Sequence, residues 1–212
     1  MTMLHLHSAQ HPFATPLLAF KAVRVLAVAE STGLWSAHEP VTELDADTFR
    51  TVLQAVGKAG VAPKATLEFE QELDAPASHL ERFLDRVYEE LRESPVPEHE
   101  LPALAAIFGV DDLADLLSAG ASTLRRYLKG ERRVPDGIAG RAHHLALVVA
   151  DLAGSYNDRG LRRWFDRPRP QLGGKTPRAL LEGDWSPDDE GASLVAEFAS
   201  ELSGASLSSS SS

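Results

Sequence analysis

Apolar residues recur at helical spacing along most of the chain. Phe49, Val52, Leu53 and Val56 stand at positions i, i+3, i+4 and i+7, which predicts one face of an amphipathic helix over residues 47–56. A second stripe with helical spacing consists of Leu80, Phe83, Leu84, Val87 and Leu91. Residues 17–30 are compatible with a helix or a strand, and the first sixteen residues have no periodic pattern, so we expect a loose end there. The patterns predict an all-α fold.

The segment Ser94-Pro-Val-Pro97 marks the best internal boundary, because proline ends helices and restricts the residue before it. Beyond it the sequence predicts two short helices joined by the small-residue turn Ala119-Gly-Ala121, with Ser122 as the cap of the second helix. Two short helices joined by a glycine-containing turn form the helix-turn-helix pattern. We therefore expect an acidic, mostly helical region at 1–95, of unassigned role, and a helix-turn-helix domain at 98–153.

The second of these helices would be the recognition helix of a DNA-binding protein. In a helix-turn-helix, that helix presents its first side chains to base edges and its flanks to phosphates. Arginine pairs with guanine, and serine and threonine pair with several bases. Cationic side chains that follow the helix bind phosphate. The outward positions expected to contact double-stranded DNA are Ser122, Thr123, Arg125, Arg126, Lys129, Arg132 and Arg133. The pattern alone does not exclude a protein that never touches DNA, because such helical hairpins are common.

The segment Leu161–Leu181, with the sequence LRRWFDRPRPQLGGKTPRALL, is basic, aromatic and rich in turn residues. It contains six lysines and arginines but a single acid, Asp166. Three prolines and a glycine pair predict a stiff, specifically shaped loop, after which Thr176 can cap a short helix. A shaped basic loop with the aromatic pair Trp164 and Phe165 suggests a binding element. A loop that ties two helices together, with the aromatic pair in the core, explains the pattern equally well.

Charge is strongly segregated along the chain. Residues 1–124 carry 8 basic and 19 acidic side chains, residues 125–178 carry 13 and 5, and residues 179–212 carry none and 7. A chain of net charge −10 therefore contains a block of +8, and a local basic block is what contact with phosphate requires.

The absence of cysteine excludes disulfides and fits a reducing cytoplasm. No apolar run approaches the ~20 residues that span a bilayer, and we expect no signal peptide.

No motif in the sequence supports catalysis, a cofactor or a metal site. Gly173-Gly-Lys-Thr176 resembles the end of a phosphate-binding loop, but Arg169 stands where that motif needs its first glycine and no buried strand precedes it. The sequence contains no nucleophile elbow and no zinc-protease motif. We expect a protein that is not an enzyme.

With both segments in view, residues 101–198 resemble the Xre/MbcA/ParS family of bacterial antitoxins, the partners of RES-domain toxins. The helix-turn-helix half matches at Leu113–Pro135, and the more distinctive half at Arg162–Leu181, followed by Asp189–Val195. Family members typically have a Trp, then a Pro, then Leu-Gly-Gly-Lys/Arg-Thr-Pro and Leu-Leu, then an acidic turn and Gly-Ala. Those places are occupied here by Trp164, Pro168, Leu172, Gly173, Gly174, Lys175, Thr176, Pro177, Leu180, Leu181 and Gly191.

The resemblance implies a helical antitoxin of a type II toxin–antitoxin system. Such a protein represses its own operon through the helix-turn-helix and neutralises a toxin that consumes NAD⁺ or uses it to modify a target. It also implies a homodimer within a larger complex, and a toxin-binding domain at 155–202. The residues that the resemblance assigns to toxin contact are Arg162, Trp164, Phe165, Arg169, Leu172, Gly173, Gly174, Lys175, Thr176, Pro177 and Leu181.

Two features depart from the family pattern. Family members often continue into a Leu-Gly-Arg-Ile-like segment that helps block the toxin active site, whereas residues 198–206 here lack the arginine. The resemblance also does not extend to the acidic first 94 residues. Two other interpretations therefore stay open: a stand-alone transcriptional or nucleoid regulator without a toxin partner, and a protein adaptor that no longer reads DNA. The serine-rich residues 203–212 are expected to be disordered.

Overall fold

The computed structural model describes the backbone of residues 4–36 and 41–208, and the side chains of residues 6–36 and 41–203. Over this part of the chain the protein is mostly helical, with eleven α-helices, one 3₁₀ turn and two short strands. The chain forms two compact units that divide between Pro95 and Val96. None of the described helices has the length and apolar character needed to cross a membrane.

The N-terminal unit begins with a β-α-β arrangement. Strands β1 (Leu4–Ala9) and β2 (Val41–Leu44) pair in parallel, and α1 (Pro16–Ser31) lies between them in the chain. Three helices follow, α2 (Ala46–Lys58), α3 (Ala65–Glu72) and α4 (Ala77–Glu93). The prediction of a loose N-terminal end is wrong, since β1 is paired and Phe13 is fully buried.

Four phenylalanine rings form the centre of this unit. Phe13, Phe49, Phe69 and Phe83 are buried, and neighbouring rings in the group have centroids 5.0–6.0 Å apart. The two apolar stripes predicted from spacing lie on α2 and α4, and all their members are buried, as expected. On the surface, Arg50 bonds Glu70, and this hydrogen bond holds the pKa of Glu70 below its ordinary value.

The C-terminal unit contains seven α-helices and the 3₁₀ turn. They are α5 Pro97–Phe108, α6 Val110–Leu116, α7 Ala121–Leu128, α8 Asp136–Leu152, α9 Asp158–Phe165, the 3₁₀ turn Pro170–Leu172, α10 Pro177–Leu180 and α11 Glu190–Ser208. Helix α8 packs against both α5 and α11 and is buried on most of its sides, as expected for the central helix of a bundle.

One hydrophobic core serves the whole C-terminal unit. It includes Leu113 and Leu124 from the predicted helix-turn-helix segment and Trp164, Val195 and Ala199 from the predicted toxin-binding segment. The two segments, predicted as domains 98–153 and 155–202, therefore share their packing. Helix α11 continues to residue 208, into the segment predicted as a disordered tail, and residues 209–212 of that tail lie outside the described residues.

Candidate functional site

The predicted recognition helix corresponds to α7. Leu124 and Tyr127 point into the core, which turns the opposite side of the helix outward. Of the seven residues expected to contact DNA, Thr123 is half-buried, and six are exposed: Ser122, Arg125, Arg126, Lys129, Arg132 and Arg133. The arrangement of α6 and α7 therefore leaves these side chains open to a large ligand.

The N-terminus of α7 differs from the sequence expectation. Gly120, and not Ser122, is the N-cap, and its carbonyl oxygen accepts from the backbone N–H groups of Thr123 and Leu124, both at 2.9 Å. The hydroxyl of Ser122 is therefore not used for capping. In the preceding turn Ser118 has a φ of +53°, and its hydroxyl donates to the carbonyl oxygen of Gly183. The turn is thus held by a residue of the C-terminal half.

Acidic side chains partly balance the charge of this face. A carboxylate oxygen of Asp111 lies 2.8 Å from Arg125, and Glu131 lies 4.0 Å from Arg126 and 3.9 Å from Lys129. All of these side chains are more than half exposed. Solvent-exposed ion pairs contribute only about 0–1 kcal/mol, so a phosphate can replace either acid at little cost.

The basic segment forms a closed loop. The backbone N–H of Arg169 donates to the carbonyl oxygen of Lys175 at 3.0 Å, and the N–H of Gly174 donates to that of Arg169 at 2.9 Å. Gly173 and Gly174 have φ values of +64° and +79°, a region that side chains disfavour. Thr176 caps α10, as predicted, by accepting from the N–H of Ala179 at 3.0 Å. The loop is held in shape by its own backbone.

Five of the residues assigned to toxin contact are buried, so their side chains do not lie on the surface of the C-terminal unit. Their exposed fractions are 1% for Trp164, 0% for Phe165, 5% for Leu172 and 1% for Leu181, and Pro177 is buried as well. They are large apolar groups that fill the core beneath the loop, because a small unit cannot leave such area in water. The alternative weighed for the aromatic pair, that it belongs to the core, is the one the structure supports.

The loop and α9 nevertheless present an open basic face. Arg162, Arg163, Arg167 and Lys175 are exposed, and no acid among the described residues forms an ion pair with any of them. The single acid of the segment, Asp166, instead bonds Arg178 at 2.7 Å. Gly173 and Gly174 are exposed beside Lys175, and Thr176 is half-buried. We call this surface the α9–loop face. Arg163 and Arg167 belong to it although the resemblance did not assign them.

Gly191 is required by close packing at the start of α11. A Cβ atom at this position would lie 2.8 Å from the carbonyl oxygen of Leu180, closer than real Cβ contacts come. The Gly-Ala pair that follows the acidic turn therefore lets α11 approach α10. This glycine positions Phe198 and Leu194, which lie on later turns of the same helix.

A buried arginine that was not predicted from the sequence joins the two halves of the unit. Arg141 on α8 is 8% exposed and donates to the carbonyl oxygen of Leu117 at 3.0 Å and to that of Trp185. It also bonds Asp184, and the indole N–H of Trp185 donates to the carbonyl oxygen of Leu116 at 2.9 Å. A single arginine inside the apolar stretch of α8 was the available signal, because arginine is rarely buried unless its donors are bonded.

A second buried polar pair links α5 to α8. Oε1 of Glu100 lies 2.6 Å from Nδ1 of His143, and both side chains are buried. The adjacent His144 contacts the ring of Trp185 instead, so the two histidines face different ways, as their adjacency predicts. No group of three or more potential metal ligands occurs among the described residues.

Comparison with protein-family models, with curated proteins and with solved structures finds no match to this chain.

Proposed function

We propose that this protein is an antitoxin that binds and neutralises a RES-domain toxin through the α9–loop face and represses its own operon through α7. The observation that carries the proposal is the α9–loop face itself, a self-bonded loop whose exposed cations are paired with no acid among the residues that the structure describes. A loop whose shape is fixed by its own backbone and by two positive-φ glycines, and whose exposed cations form no ion pair among the described residues, is typical of a binding site.

The DNA-binding part of the proposal rests on the exposed side of α7. Arg125 and Arg126 are exposed on a helix that is fixed from behind by Leu124 and Tyr127. Their pairs with Asp111 and Glu131 lie at the surface and can open in favour of base edges and phosphates. A homodimer would place two such helices on one operator, as in other helix-turn-helix proteins.

Affinity capture from the native host, followed by mass spectrometry, tests the proposal. The proposal predicts that a RES-domain protein is recovered in near-equal amount, and that DNA from upstream of the gene binds the purified protein at physiological salt. Recovery without any RES-domain protein contradicts the antitoxin function.

A stand-alone DNA-binding regulator of the same fold is the second candidate function. The C-terminal end of α11 favours it, since residues 198–206 lack the arginine with which the antitoxin family helps to block a toxin active site. This candidate predicts operator binding with no RES-domain partner, and a gene without a RES-type neighbour.

A further inference from the structure

Arg169 differs from the other cations of the loop because it lies on two aromatic rings. Its guanidinium carbon is 6.0 Å from the ring centroid of Trp164 and 5.7 Å from that of Phe198. The two rings stack on each other at 5.7 Å, with 15° between their planes. The backbone N–H and carbonyl of Arg169 are both bonded within the loop. The guanidinium is therefore held in place before any partner arrives, which lowers the entropy cost of binding.

Two hydrogen-bond donors beside this ring stack have no acceptor within the part of the chain that the structure describes. Nε of Arg169 and Nε1 of Trp164 are inaccessible to solvent, and neither has a hydrogen-bond partner among the described residues. A partner cannot reach these closed atoms, so a contact with Arg169 has to be made by the rest of its guanidinium, for which the described residues supply no ion pair. Asp166, the acid of the segment, already bonds Arg178.

An apolar neighbour indicates that the acceptor belongs to a protein. Leu194 is 37% exposed, one of the few large apolar side chains that the structure leaves open. It precedes Phe198 by four residues on α11, so the two side chains share one helix face. Arginine and aromatic residues beside apolar area are the composition of protein interface centres, whereas a phosphate backbone gains little from a leucine.

We propose that Arg169, seated on the Trp164–Phe198 stack, is the anchor of the α9–loop face and binds an aspartate or glutamate carboxylate of a partner protein, with Leu194 packed beside that contact. The inference rests on the proposed function, because the partner is the RES-domain protein itself. The exposed cations Arg162, Arg163, Arg167 and Lys175 belong to the same face and accelerate encounter with an acidic surface more than they hold the complex.

The test is the affinity of the full chain for the RES-domain protein that the affinity capture is predicted to recover, measured by calorimetry for Arg169→Gln, Arg169→Lys and the matched control Arg163→Gln. Arg163 has the same charge and is exposed on α9, but no ring contact of it is present among the described residues. We expect Arg169→Gln to weaken binding roughly 30-fold or more, since removing one partner of a desolvated charge pair affects dissociation strongly. Arg163→Gln should change affinity no more than about 3-fold.

Arg169→Lys controls for loss of folding, because the aliphatic part of the lysine side chain still covers the two rings and the positive charge remains. An ammonium group cannot replace the planar fork of arginine, so we expect a loss of about 10-fold at an unchanged melting temperature. Equal effects of Arg169→Gln and Arg163→Gln would overturn the anchor and leave a diffuse electrostatic surface. An unchanged protein complex with weakened duplex DNA binding would overturn it in favour of phosphate. If the wild-type chain forms no complex, the proposed function itself fails, and the anchor with it.

Discussion

Removing the buried guanidinium of Arg141 should destabilise the C-terminal unit more than any surface charge does. In Arg141→Met the carbonyl oxygens of Leu117 and Trp185 lose their donor while they stay buried. Each buried acceptor left without a partner costs about 1–3 kcal/mol, which gives about 2–5 kcal/mol for the two. The ion pair with Asp184 adds little to this, since the aspartate side chain is 98% exposed.

Urea unfolding followed by tryptophan fluorescence measures this loss. Trp164 and Trp185 lie in the C-terminal unit, and a Trp35→Phe background removes the signal of the N-terminal unit. Asp184→Asn is the matched control, because it removes the ion pair but leaves both carbonyl bonds, and it should cost no more than about 1 kcal/mol. An Arg141→Met chain within 0.5 kcal/mol of the wild type, a margin of about the size of surface effects, would refute the reasoning. So would an Asp184→Asn loss as large as that of Arg141→Met.

Three further predictions concern α7 and the packing beneath the loop. Replacing both Arg125 and Arg126 by Ala should weaken operator binding by roughly 1–3 kcal/mol for each arginine, and an unchanged gel shift excludes α7 as the reading helix. Gly191→Ala should lower stability by about 1–3 kcal/mol because of the contact its Cβ would make, whereas Gly137→Ala, with nothing within 4 Å of its Cβ, should raise it by up to about 1 kcal/mol. Thermal melts compare the two, and equal effects contradict the packing argument. Trp164→Ala should cost about 3–5 kcal/mol in the same melts, and a folded variant that only loses partner binding would contradict its place in the core.

Local periodicity was enough to predict several elements. The stripes on α2 and α4 follow from spacing alone, because apolar residues three and four apart share one helix face. The stiff loop and the Thr176 cap follow from proline, glycine and threonine chemistry, which acts within a few residues. These features depend on interactions between residues that are close in the sequence, so they could be predicted from the sequence alone.

The features that sequence analysis missed depend on partners far away in the chain. Strand β1 pairs with β2, more than thirty residues later, and no local signal announces that pairing. The depth of Trp164 and Phe165 is set by α5 and α11, which cover them with Phe108 and Phe198. Arg141 likewise finds its acceptors 24 and 44 residues away. The sequence of Leu161–Leu181 therefore could not show which of its residues are buried in the core and which form the exposed α9–loop face.

The cellular NAD⁺ level provides the most direct test of the antitoxin function. The account predicts a RES-domain protein encoded beside this gene; that protein is expressed alone, with the wild-type chain, and with the Arg169→Gln variant, and NAD⁺ is measured in each culture. The account predicts that NAD⁺ falls with the toxin alone, is maintained with the wild-type chain, and falls again with the variant. An NAD⁺ level that falls equally with and without the wild-type chain, or a gene with no RES-type neighbour, would contradict it.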